Sequence, residues 1–179
     1  MARMLRAAIA ALFSFGLTGC FVSPTPLIAP GEAEFPVATP KVVDDMHADG
    51  TASPLRLERQ GGVYVLIDRN AKKDGKTVPE VKHRFVVRGI GDGLYVAQRF
   101  GDNGVCPCTF GLIEMAGKRI GAYEFGSFGS SQQLSPEEMA RYGVTVEGTS
   151  YRLSSFEKTA ALFRSLLERP RPDDVYVLE

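Results

Sequence analysis

Tryptophan is absent from this chain of 179 residues, and only three cysteines and two histidines occur. The supply of soft or nitrogen metal ligands is therefore thin. His47 and His83 stand alone, with no His-Glu-x-x-His spacing to hold zinc, so no metal and no cofactor is expected. Charge of one sign is not in excess either: 21 Lys and Arg meet 21 Asp and Glu, for a formal net charge of zero. A nucleic-acid binder needs a basic face to neutralise phosphates, so the electrostatic case for that class is removed. The apolar run from Ala7 to Phe15 is too short to span a bilayer comfortably.

Enzymatic motifs fail one by one. Gly75-Lys76-Thr77 imitates the end of a P-loop, but Asn70 stands where the leading glycine must let backbone wrap a phosphate. Asp68-Arg69-Asn70 opens like a calcium loop, then places Lys72 and Lys73 where a ligand and the turn glycine are needed. Gly89-Ile90-Gly91-Asp92-Gly93 lies between two strand patterns and reads as a turn, and no Gly-x-Ser-x-Gly elbow is present. A catalytic role is not expected.

What is present begins at the N-terminus. Arg3 and Arg6 precede the apolar run, which ends in Leu17-Thr18-Gly19-Cys20. This stretch resembles the signal peptide and lipobox of bacterial lipoproteins. The resemblance implies cleavage after residue 19 and acylation of Cys20, with the mature protein anchored to a membrane and facing the periplasm. Phe21 follows in place of the aspartate that retains such proteins at the inner membrane, so the outer membrane is the expected address. Several acyl chains together make such anchoring stable, where one chain holds only marginally.

The remainder divides by composition. Residues 20–54 are expected to be the lipidated cysteine and a tether, because five of the 11 prolines fall in 21–40 and favour extended chain. Residues 55–179 are expected to form a single α+β domain. Candidate strands at 55–59, 62–68, 83–89, 93–100, 108–115 and 118–125 are rich in Val, Ile, Tyr and Phe and separated by glycine turns, the pattern of antiparallel hairpins. The loop from Asp68 to Lys82 carries five basic residues and reads as a polar excursion. Gly62-Val63-Tyr64, Gly93-Leu94-Tyr95 and Gly121-Ala122-Tyr123 recur at about thirty-residue spacing, each read as a turn followed by a tyrosine on a strand flank.

Two helices are well marked. Ser135-Pro136-Glu137-Glu138 supplies an N-cap, a first-turn proline and a capping-box glutamate, and Gly143 closes the helix. The second starts at Ser154 or Ser155, with Ser154 and Glu157 spaced as a capping box. It carries Phe156, Ala160, Leu162, Phe163, Leu166 and Leu167 as an apolar stripe. Strands at 144–147, 149–153 and 174–178 flank it. The expected architecture is a twisted antiparallel sheet of short strands with two helices of the C-terminal half packed on it.

Cys106-Pro107-Cys108 is the one local feature with chemical potential. Once Cys20 is acylated, these are the remaining thiols, an even pair suited to a disulfide in an oxidising compartment. The triplet resembles the Cys-Pro-Cys of the mitochondrial intermembrane-space import oxidoreductase, which would imply thiol–disulfide exchange. The cysteine-paired helices that flank it in that family are missing here. A thiol metal carrier is the other active reading. The favoured one is a structural pair in a non-catalytic binding or assembly module, engaging another envelope protein.

Overall fold

The computed structural model describes residues 21–46, 52–69, 72–73, 76–77, 80–117, 119–123, 134–167 and 174–178. Alternation of inward and outward side chains builds most of it. The strands are β1 (Phe21–Ser23), β2 (Lys41–Met46), β3 (Ala52–Gln60), β4 (Val63–Asp68), β5 (Lys72–Lys73), β6 (Lys76–Thr77), β7 (Val81–Gly91) and β8 (Leu94–Arg99). They continue with β9 (Cys108–Ala116), β10 (Arg119–Tyr123), β11 (Thr145–Glu147), β12 (Ser150–Arg152) and β13 (Asp174–Leu178). The helices are α1 (Pro136–Tyr142) and α2 (Phe156–Leu167), with a 3-10 turn at Pro30–Glu32.

The antiparallel sheet and the two helices of the C-terminal half match the sequence reading. The sheet, however, closes on itself. Strand β10 pairs with β9 on one side and β13 on the other, and β13 pairs in turn with β2. Following β2, β3, β4, β7, β8, β9, β10 and β13 therefore returns to β2: eight antiparallel strands form a barrel. Nor are all the strands short, since β7 runs for 11 residues. The N-terminal part of β9 reaches beyond β10 and pairs instead with β1, which carries β12 in parallel and then β11 as a flange.

Closure separates two cores. Val43, Leu55, Leu57, Tyr64, Leu66 and Val87 fill the barrel interior. Val86, Val96, Phe110 and Leu112 point outward from β7, β8 and β9 and meet Leu162, Phe163 and Leu166 of α2. Strands buried on both faces lose their polar alternation, which is why Val86 and Val87 are adjacent and both buried.

Helix α1 is capped as its sequence predicts. Ser135 Oγ accepts from the Glu138 amide, Glu138 accepts from the Ser135 amide, and Gly143 sits at φ 61°. In α2 the cap is Ser155, whose Oγ accepts from the Lys158 amide at 3.4 Å, so the capping box expected from Ser154 and Glu157 is not the one used. Arg164 ties α2 to the β7–β8 turn through Asp92 and the Ile90 carbonyl.

The largest correction concerns the proline-rich stretch. Residues 21–46 are not a free tether; Phe21, well before Leu55, is already part of the fold. Phe21 is 2% exposed, with its ring against Tyr151 and Phe163. Ile28 is buried, and the amides of Leu27 and Ile28 both donate to Oε1 of the buried Gln98, at 2.7 and 2.9 Å. Proline removes amide donors from a sheet, but side-chain acceptors on the barrel wall, Gln98 and Tyr64, take up the amides of Leu27, Ile28 and Val37. Cys20 and the expected signal peptide lie outside the described residues, as does His47.

Candidate functional site

The register places three tight hairpin turns at one end of the barrel. The β3–β4, β7–β8 and β9–β10 hairpins turn there, at Gly61-Gly62, Asp92-Gly93 and Gly117. Asp92 and the four glycines have positive φ, which glycine tolerates without a Cβ clash. At Gly93 the requirement is double, because a Cβ would lie 2.7 Å from the Met115 carbonyl oxygen.

The same end is closed by residues 33–37. The Glu34 amide donates to the Val87 carbonyl at 2.8 Å, where β7 extends past the end of β4, and the Glu34 carboxylate accepts from the Gly89 amide at 2.9 Å. Arg88 makes an ion pair with Glu32 and lies 4.0 Å over the Phe156 ring, so the preceding turn is held against α2. Phe35 packs edge-on to Tyr64, with Arg59 3.7 Å above its ring. Val37 then enters the barrel mouth. The Tyr64 hydroxyl donates to the Val37 carbonyl and accepts from the Val37 amide, both at 2.8 Å. Burial raises the Tyr64 pKa and the bond to Val37 works against that shift, so the phenol stays neutral and available to both bonds.

Beneath this strap is a cavity of about 60 Å³. Its wall includes Val43, Leu57, Leu66, Phe85, Val87, Ile113, Met115, Ile120 and Ala122, with Val37 and Tyr64 as the roof. One water needs roughly 10–15 Å³, so several would fit by size, yet apolar cavities stay dry for want of polar partners.

Toward the opposite end the interior becomes polar. His83 faces Leu66 across β4 and β7, and Arg99 faces Phe85 across β7 and β8, so both belong to the inward set. Burial, with Arg99 adding to it and Asp102 opposing, lowers the His83 pKa to about 4. The imidazole is neutral at pH 7.

The residues singled out from sequence fall elsewhere. Cys106 and Cys108 are joined in a disulfide at the start of β9, on the outward face. Cys108 is 0% exposed and Cys106 half-buried, against the outer core. The preceding loop is fixed by Gly101 N–H to the Val105 carbonyl and Gly104 N–H to the Gly101 carbonyl. Protein purified without reductant is expected to yield no free thiol at either position. Oxidoreductase turnover in an insulin-reduction assay, lost in the double serine variant, would overturn the structural reading. The basic loop contributes the small β5–β6 hairpin, and Glu80 is held below the usual carboxylate range by Lys82 and Arg69. Among the described residues no three His, Cys, Asp or Glu side chains group to hold a metal ion. No helix among them is long and apolar enough to cross a membrane.

Sequence reasoning missed the cavity because its wall looks like ordinary core. The available signal was small inward residues: Ala97 opposite Gly111, and Ala122 opposite Ile113. The chain matches no protein-family model, no curated protein and no solved structure.

Proposed function

We propose that this is a lipid-anchored protein of the bacterial envelope, held by Cys20 and facing the periplasm, whose barrel is a non-catalytic binding module for a small molecule. The observation that carries the binding half is the apolar cavity under the strap of residues 33–37. An eight-stranded barrel is just wide enough for side chains to fill it or for one small ligand to share it. Here the side chains leave room. The anchoring half rests on the lipobox at Leu17–Cys20 and the basic residues before it.

A docking role toward another envelope protein would use the exterior instead. Among the described residues, three large apolar side chains are exposed there: Val42, Val105 and Val146, on β2, the β8–β9 loop and β11. Single exposed apolar residues are normal on a soluble surface, whereas a cavity inside a core is not. The thiol alternative has less support, because Cys108 is fully buried and Cys106 half-buried against the outer core, so attack is open only at Cys106.

Mass spectrometry of protein extracted from envelopes tests both halves. The N-terminal peptide is expected to begin at an acylated Cys20, and Cys20→Ala to leave an unprocessed or mislocalised precursor. Under native conditions the intact protein is expected to carry a small non-covalent adduct that denaturation releases. A free thiol at residue 20 overturns the anchor, and adduct-free protein that takes up no added probe overturns the binding role.

A further inference from the structure

The chemistry of the cavity wall defines its ligand more narrowly. Of the described side chains lining it, Tyr64 alone carries an oxygen or nitrogen atom. Its hydroxyl already spends its proton on the Val37 carbonyl and accepts from the Val37 amide. The backbone amides and carbonyls of the wall run in strand ladders that close around the ring. Among the described side chains directed into the cavity, none can therefore pair a hydroxyl, an amide or a carboxylate, and a buried polar group without a partner is strongly disfavoured.

A cavity of this kind has a cost of its own. Wall atoms with no neighbour lose their dispersion contacts, and a core ordinarily relaxes to recover part of them. Relaxation is restricted here, because a ring of paired strands fixes the spacing of the walls and Val37 is bolted to Tyr64 across the top. The missing contacts are recoverable by a guest, and only by one as apolar as the wall.

We propose that the barrel cavity binds a small molecule or molecular fragment that is wholly apolar, a single hydrocarbon ring or a short branched chain, and discriminates against isosteres bearing a hydrogen-bonding group. The size allows about four to six carbon-sized groups, from the water-sized volumes the cavity holds. The proposal rests on the binding role argued above and narrows it to a ligand class.

Benzene is the probe and phenol its polar isostere, added to the whole chain with methyl groups labelled for NMR. Benzene is expected to shift the methyl signals of Val43, Leu57, Ile113 and Ile120 saturably. Phenol is expected to bind about ten-fold more weakly or worse, since the site gives its hydroxyl no partner. Filling the cavity by Ala122→Leu is expected to abolish the benzene response while the thermal midpoint holds or rises; Ile120→Phe serves the same purpose if that variant does not fold. Unchanged benzene affinity in the folded, filled variant would place binding elsewhere and overturn the proposal. Phenol binding as tightly as benzene at the same methyls would overturn the ligand class while leaving a binding barrel intact. Absence of any methyl shift with benzene in the folded protein would overturn the cavity as a site for apolar guests.

Discussion

Replacing Phe163 with alanine is expected to cost roughly 3–5 kcal/mol of folding stability, the range for truncating a fully buried aromatic ring. Phe163 is 0% exposed, and its ring meets Phe21 edge-on at 5.3 Å between centroids. It therefore joins α2 to β1, and through β1 to the barrel strand β9. Leu162 and Leu166 flank it on the same helix face, and neither can swing to refill the space without leaving its own contacts. Urea unfolding measures the loss. A decrease below about 1 kcal/mol would mean that α2 is peripheral and that the barrel stands without its outer layer.

That experiment also probes where the sequence was legible. Local signals were read correctly wherever a few neighbouring residues decide the outcome. Ser135, Pro136, Glu138 and Gly143 delimit α1, and the glycine turns delimit the hairpins. Closure depends on something no local window contains. Strand β13, at Asp174–Leu178, must travel back between β10 and β2, a pairing that joins the last strand to one of the first. The recurring Gly-x-Tyr segments show the limit in miniature. Tyr64 and Tyr95 belong to the barrel interior and Tyr123 to the outer cluster, so the same three-residue pattern serves opposite faces.

The proline-rich stretch misleads for a related reason. Counting prolines correctly predicts an absence of long regular structure between Pro24 and Pro40. It does not predict looseness. Phe21, Ile28 and Val37 are buried, and their partners are Tyr151 and Phe163, Gln98, and Tyr64, none of them nearby in sequence. Gln98 in particular reads as an ordinary polar residue of a strand until its Oε1 is seen holding two amides of the incoming chain. The cavity inherits the same opacity: its roof comes from the supposed tether and its walls from strands whose mutual facing requires closure.

Acid is expected to destabilise the protein through His83 before most carboxylates titrate. The folded pKa of His83 lies at about 4, against 6.5 for the unperturbed side chain. Above pH 6.5 both folded and unfolded states hold a neutral imidazole, and the group leaves stability unchanged. Between about 6.5 and 4 the unfolded chain takes up a proton that the folded chain refuses, so stability falls as pH falls; below about 4 both states are protonated and the loss levels off. Each unit of difference is worth about 1.4 kcal/mol, so the whole step amounts to roughly 3 kcal/mol. The cause is geometric: burial comes first, then the Arg99 charge, with Asp102 only partly offsetting them. Urea unfolding of the parent and of His83→Gln across pH 7 to 4 isolates the step, because the other groups titrate alike in both. The variant is expected to show a flatter profile, with the difference growing below pH 6.5. Parallel profiles would mean that the imidazole is protonated in the folded barrel, and that this end of the interior is far better solvated than the apolar end beneath Val37.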